Sequence, residues 1–483
     1  MIANGQRYTL FNSAALLLFF LFGYIAINEN NASWLAIPFA LAISPLLFKW
    51  IVASTEHLFW IVLVLLPLST ELNITPSLGL DFPDEVFLLL LTAVGIVKLI
   101  HQPTLFYPVL KSPLLLLIVL QLCWIVFTCF FSTEPLLSIK FLLAKIWYIV
   151  PFVLLAPIIV NNKSKLKLVA ICLCIPMLLV VAQTLIRHSF YGFEFALIKK
   201  TLFPFFRNHV NYSSMLVCLI PIGWGIWYFT VNGSRKKWIM IGLFIALLAL
   251  IFAYSRGAWV AGIVGLITAW GIQKKWMLQI SILAIALVSI FSIAIISNNR
   301  YLQFAPEHNQ TIFHSNFKEH LRATITLKDI SNAERFHRWV AGANMIAEKP
   351  IIGFGPNSFY NQYKPYTVSS FKTWVSNNPE HSTVHNYYLL TAIEQGIPGL
   401  LLLLLLWISM VVAAQKLYHT FQSEFYSKIA LITGIVIGMI ASINFTSDMI
   451  ETDKIGGLFW LSIGVLITLQ IKQKEEASNI ARN

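Results

Sequence analysis

Residues 376–406 read SNNPEHSTVHNYYLLTAIEQGIPGLLLLLLL. A polar loop carrying His381 and His385 runs straight into a long apolar helix. Thr383 is placed to cap that helix, which puts His385 in the first turn. A first turn carries unpaired N–H groups and a partial positive charge, so it favours an anion such as a phosphate. It also disfavours a protonated imidazole, which would keep His385 neutral and able to accept a proton. The plainer alternative is a histidine that merely caps a helix at a membrane surface.

The rest of the chain explains why the helix is so apolar. Of 483 residues, 58% are hydrophobic and 11% are charged, whereas soluble chains carry about 25% charged residues. Apolar runs long enough to approach a hydrocarbon core of about 30 Å recur from end to end. The expected fold is an all-α polytopic membrane protein of about 12–14 transmembrane helices with one large, partly helical outer loop. Fourteen candidate spans fall near residues 10–27, 34–53, 57–69, 84–100, 112–131, 139–160, 166–186, 211–231, 237–254, 257–273, 276–296, 386–414, 428–445 and 455–471. The third is short and could be re-entrant. This divides the chain into an N-terminal bundle (1–296), a loop domain (297–385) and C-terminal helices (386–483).

With the N-terminus placed in the cytoplasm, seventeen basic residues fall on the inner side. The short outer loops receive seven: Lys140, Arg187, Lys199, Lys200, Arg207, Arg256 and Lys454. That bias predicts cytoplasmic termini and an outward-facing 297–385 loop. The net charge of +13 then belongs to membrane-flanking loops and is no sign of nucleic acid. The five cysteines lie inside apolar runs and read as small core residues. The run after Arg7 lacks a small-residue cleavage site, so a retained first helix is expected. No internal repeat is visible.

The large loop holds six of the eleven histidines. Ser331 with Glu334 suggests a capping box. Phe336, Trp339, Ala343 and Ile346 follow at helical spacing, and Lys349-Pro350 should end that helix. GFGPNSF at 353–359 is a turn that lacks the Lys-Ser/Thr of a phosphate-binding P-loop.

Cationic residues collect on the expected outer side. Arg256 sits in YSRGAW between two spans, where Ser255 can cap the following helix; it is either functional or a snorkelling anchor. Arg335 and Arg338 are three apart on the loop helix and could grip a diphosphate, or could be an ordinary solvated face. FFRNHVNYS at 205–213 brings Arg207, Asn208, His209 and Asn211 to another outer span start, for binding or for interface capping. A metal shared by His381 and His385 is disfavoured, because Pro379 and Ser382 argue against a helix there. No acidic pair is evident on that side, so a diphosphate leaving group would rest on arginines alone. Lys145 is the clearest ionisable residue near mid-membrane.

These motifs together resemble the O-antigen ligase and O-antigen polymerase superfamily. The resemblance rests on NHVNYS (208–213), YSRGAW (254–259), ERFHRWVAGANMIAEKPIIGFGPNSF (334–359) and VHNYYLLTAIEQGIPGL (384–400), with FSTEPLLSIK (131–140) a weaker element. It covers about residues 205–400. It implies a glycosyltransferase of the bacterial inner membrane that acts on the periplasmic face without metal or cofactor. The implied donor is an undecaprenyl diphosphate-linked glycan. The implied acceptor is a glycolipid, lipid A–core, or a growing glycan. His385 matches the superfamily's base, Arg256 its Ser-Arg-Gly arginine and Arg335 its loop-helix arginine. Asn386 and Glu394 match the His-Asn and Glu-x-Gly-x-x-Gly elements, which adds them to Arg207, Asn211 and Arg338 as expected substrate contacts. Arg338 is not part of the superfamily pattern. Ligase is the first choice. The rivals are a polymerase or protein glycosylating enzyme of the same superfamily, a flippase or transporter, and a non-catalytic anchoring protein.

Overall fold

The computed structural model describes Leu21 and residues 55–75, 78–296, 330–371, 376, 378 and 382–480. The spans expected at 10–27 and 34–53, the retained first helix, residues 297–329 and His381 lie outside those residues. The chain divides into two compact units, residues 1–59 and 60–483, so the described loop residues share one unit with the helices on either side.

The first described helix, α1 (Thr55–Leu65), precedes a hairpin of β1 (Thr70–Thr75) and β2 (Leu78–Phe82). The strands are antiparallel, with Thr70 opposite Phe82 and Leu72 opposite Leu80. Then come α2 (Asp84–His101), α3 (Pro103–Leu110), α4 (Pro113–Phe130), α5 (Pro135–Ile159) and α6 (Lys163–Ser189). The short α7 (Ile198–Leu202) leads to α8 (His209–Tyr228), α9 (Gly233–Phe252), α10 (Arg256–Lys274) and α11 (Met277–Ile296). The loop supplies α12 (Ile330–Glu348) and α13 (Phe359–Gln362), and the chain closes with α14 (Tyr387–Thr420), α15 (Glu424–Thr446) and α16 (Asp453–Ile480).

Every candidate span within the described residues corresponds to a helix. Eight are long and apolar enough to cross a membrane, and the bent pair α2–α3 would make a ninth. The protein is an all-α polytopic membrane protein. Proline punctuates it where its missing N–H is harmless, at the first position of α3, α4 and α5. Gln102 precedes Pro103 and is pushed out of the helical region, at φ −135° and ψ 55°. There the chain turns by 99° and α3 leaves the axis of α2. Inside α5, Pro151 lies in a π-helical stretch, Val150–Leu155. Its carbonyl side approaches α16 so closely that a Cβ at Gly464 would strike the Phe152 oxygen.

Helix α16 is the most enclosed of the eight: 83% of its apolar window is buried, with α5 and α15 next at 67%, against 6% for α11, which lies at the periphery. Glycines let α10 and α15 approach, since a Cβ at Gly265 would meet Met439 and one at Gly438 would meet Thr268.

Helix α14 breaks at Gly396, where φ is 69° and ψ is −180°. Only glycine adopts that conformation cheaply, and a Cβ there would strike the Ile351 carbonyl. Residues 350–355 fill the gap in the helical ladder. Phe354 N–H donates to the Ile393 carbonyl at 3.0 Å, Gly355 N–H to Glu394 at 2.9 Å, and Ile397 N–H to Pro350 at 2.8 Å. The GFGPNSF stretch is therefore a turn, as its sequence indicates, with Gly353 at φ 72° and Gly355 at φ 99°.

Candidate active site

Asn386, not Thr383, caps α14: its side-chain oxygen accepts the Leu389 N–H at 2.9 Å. The helix starts three residues later than the sequence suggests, because a second good capping residue lies within reach of the first. His385 is consequently outside the first turn, in the left-handed region at φ 53°. A non-glycine residue there stores about 1–3 kcal/mol of strain. The helix-terminus argument for a neutral His385 gives way to a different partner. His385 Nδ1 lies 3.8 Å from Asp448 Oδ1, with the two side chains 37% and 20% exposed. That separation exceeds a direct hydrogen bond, but it puts a carboxylate on one ring nitrogen and leaves Nε2 facing away from it. Thr383 turns to the same carboxylate, its hydroxyl donating to Asp448 Oδ2 at 2.7 Å and accepting the His385 N–H at 3.2 Å.

Asp448 is held by its own turn. Fully buried Asn444 accepts the Ile450 N–H at 3.1 Å and donates to the Ile440 carbonyl at 2.8 Å. The Ser447 carbonyl accepts the Tyr387 N–H at 3.1 Å, which ties this turn to the start of α14. Burial pushes the Asp448 carboxyl up, but the nearby His385 imidazole and the Thr383 hydroxyl outweigh it and leave it below its ordinary value. It is therefore ionised at neutral pH.

The loop helix α12 fixes the other side of His385. Arg338 donates to the Thr383 carbonyl at 3.0 Å, and Trp339 Nε1 donates to the Val384 carbonyl at 3.0 Å. Arg338 is 6% exposed and pairs with Glu334 at 3.3 Å. Glu334 also accepts the Ser376 hydroxyl at 2.7 Å. The pair Arg335 and Arg338 does not act as one open fork: Arg338 is turned inward, while Arg335 is half-buried.

Arg256 opens α10, and Ser255 occupies the capping position without a side-chain capping bond. The next residue, Gly257, lies against Thr446, whose hydroxyl would be 3.5 Å from an added Cβ. Thr446 is two residues from Asp448, so the start of α10 adjoins the turn that faces His385. A ring cluster joins the 207–211 segment to the same edge. Phe195 lies 6.2 Å from His209 and 5.5 Å from Tyr254, centroid to centroid. Arg207 is itself 65% exposed in its side chain and pairs with Glu71 of β1 at 3.5 Å. Asn211 donates its backbone N–H to the cap Asn208 at 2.9 Å.

Glu394 is an internal tie. It is 3% exposed and accepts the Phe359 N–H at 3.2 Å, clamping the end of the GFGPNSF turn to α14. This placement differs from an open substrate contact, because the kink at Gly396 turns the carboxylate into the loop.

Two residues that matter here went unread in the sequence. Asp448 and Glu451 lie in SDMIETD (447–453), and that acidic run was the available signal. Lys145 is not an isolated mid-membrane charge: it is 5% exposed, pairs with Glu451 at 2.6 Å and donates to the Tyr387 hydroxyl at 3.3 Å. Acidic groups therefore do occupy this end of the bundle, contrary to expectation. Among the described residues, no group of three or more His, Cys, Asp and Glu side chains is arranged to hold a metal.

Residues 241–404 match the O-antigen ligase family. The matched region contains Arg256, Arg335, Arg338, His385, Asn386 and Glu394, and it excludes Arg207, Asn211 and Asp448. A Haemophilus influenzae protein described as uncharacterized is 24% identical over 252 residues, which covers 52% of this chain and 56% of that protein. The family match supports the O-antigen ligase and polymerase superfamily for this chain.

Proposed function

We propose that this chain, an O-antigen ligase/polymerase-type membrane glycosyltransferase, moves a glycan from undecaprenyl diphosphate to the lipid A–core acceptor without a metal or cofactor. The observation that carries this reading is the His385–Asp448 pair, set on a loop gripped by α12 and bordered by the start of α10. An acceptor hydroxyl attacks the anomeric carbon of the donor. As the new C–O bond forms, the hydroxyl proton passes to His385 Nε2, and Asp448 stabilises the imidazolium from the Nδ1 side. The bond from the anomeric carbon to the diphosphate breaks, and its electron pair leaves with the diphosphate. Arg256 and Arg335 stabilise that developing charge. Attack opposite the leaving group inverts the anomeric centre. The basic bias of the sequence supports an inner-membrane protein whose site faces the periplasm and whose termini are cytoplasmic.

Arg338 and Glu394 take a different role in this scheme from the one their motifs suggest. Both are buried ties, one holding the His385 loop and the other the GFGPNSF turn, and Asn386 is likewise buried as the cap of α14, so these three position the site and leave the substrate to Arg256, Arg335 and the more exposed Arg207 and Asn211.

A polymerase would use the same donor site and differ only in its acceptor. The deciding experiment is in vitro transfer by purified protein from an undecaprenyl diphosphate-linked glycan, with core lipid or glycan as acceptor, in excess chelator. Transfer to core lipid is expected. Transfer only to glycan would make the chain a polymerase. Transfer to neither acceptor, or transfer abolished by chelator and restored by magnesium, would overturn the scheme.

A further inference from the structure

A second polar site lies far from His385. Helix α16 starts beside Glu451 and runs unbroken to Ile480. At about 1.5 Å per residue, its positions 470–478 stand roughly 25–38 Å from Asp453. There a cavity of about 390 Å³ opens between α3, the start of α4 and the last turns of α16. Its polar lining comes from Lys111, Ser112, Gln470, Lys474 and Ser478, while Pro108 and Ile471 supply apolar wall.

The charge balance of the cavity is positive. Glu475 also lines it, but Lys472 pairs with that carboxylate at 2.6 Å. Among the described residues, neither Lys111 nor Lys474 has an acidic partner within salt-bridge distance. Lys111 is steered by the Tyr107 ring, with Nζ 4.2 Å from its centroid. Ser112 stands at the cap position of α4 but does not cap it; its hydroxyl donates to Gln470 Oε1 at 2.8 Å instead. The positive end of an 18-residue helix is thereby left without a side-chain cap at the cavity wall. The 99° bend at Gln102 sets α3 across the end of the bundle. Its Leu105 and Leu110 are 47% and 51% exposed, as suits a helix lying in the membrane interface.

We propose that this cavity binds a phosphate group through Lys111, Lys474 and the start of α4, and so ties the end of α16 to the bent α2–α3 segment. The phosphate is that of an anionic glycerophospholipid head group or of a free anion; the shared chemistry is the same, and the test separates them. Basic cavities between helices at a membrane surface are suited to such head groups. The proposal stands independently of the glycosyl-transfer scheme, since none of its residues belongs to the His385 site.

The test uses the full chain, purified and delipidated in neutral detergent. Phosphatidylglycerol retention is read by native mass spectrometry, and inorganic phosphate binding by calorimetry. One lysine near an anionic surface is worth about a fivefold gain in affinity, so Lys111→Gln/Lys474→Gln should lose ~30-fold. Lys111→Arg/Lys474→Arg should retain binding, which separates lost charge from misfolding. Retention of phosphatidylglycerol alone identifies the lipid head group; comparable binding of inorganic phosphate identifies a free anion. The proposal fails if the native chain binds neither probe, or if the Gln variant binds as the native chain does.

Discussion

Helix α16 joins two ends of the bundle that handle charge in opposite ways. At its start the charges neutralise one another inside the protein. Lys145 pairs with Glu451, the Tyr148 hydroxyl donates to Asp453, and Lys454 donates to the carbonyls of Leu66 and Ser69 at 3.2 and 2.9 Å. At its far end Lys111 and Lys474 face a cavity whose one acid, Glu475, is paired with Lys472. Charges satisfied internally fix the shape of a site, because a buried ion is tolerated only with its partners in place. Exposed charges of one sign, satisfied by water, leave room for an anionic ligand. His385 belongs to neither group: it is partly exposed, and it has a carboxylate on one side only.

The comparison is broken most severely at His385. A general base contributes about 10²–10⁴-fold in rate, so His385→Ala should lose nearly all transfer while donor binding stays near normal. Single-turnover kinetics and donor titration on the same preparation read both. The next effect is on stability. Removing one partner of a buried pair costs about 3–5 kcal/mol, so Lys145→Met should lower thermal stability in detergent sharply. The double variant Lys145→Met/Glu451→Met should recover much of that loss. A Lys145→Met protein as stable as the native chain would mean that the pair does not organise this end. Third, Gly396→Ala should destabilise by about 1–3 kcal/mol, through its left-handed backbone and the collision with the Ile351 carbonyl. Thermal unfolding of that variant reads the cost of closing the kink.

The smallest expected effect sharpens the contrast within the paired end. Asp81 of β2 is pushed up to about 8, first by burial and then by the hydrogen bond and charge of Asp453. A raised carboxyl adds stability below its ordinary value of 3.8, and that stability is lost as pH rises towards 8. Asp81→Asn mimics the protonated form. It should change little in acid and become relatively more stable than the native chain as pH rises to 8, read as the difference between two thermal-stability profiles.

Much of the fold could be read from apolar length alone, since α4, α6, α8 and α14 lie where the hydrophobic runs lie. The loop helix α12 and the turn at GFGPNSF were also legible, from periodicity and from Gly-x-Gly-Pro. What escaped was set by tertiary contact. Thr383 and Asn386 are both good caps, and only the pull of Asp448 on Thr383 decides between them. Arg338 and Glu394 read as surface groups because a motif does not show which way a side chain turns. Lys145 and Glu451 are 306 residues apart, and no local pattern announces such a pair. Asp448 was visible as a residue but not as the partner of His385, because that pairing depends on the turn built by Asn444.

The central claim is that His385 and Asp448 act as one unit on the acceptor proton. Single-turnover transfer by His385→Ala, Asp448→Asn and the double variant tests it most directly. Groups that act as a unit are strongly non-additive when removed. Asp448→Asn alone should lose about 10²–10³-fold, within the range of a general base and below the loss in His385→Ala. Adding it to His385→Ala should cost almost nothing more. Losses that multiply in the double variant, with all three proteins folded and binding donor, would contradict the account.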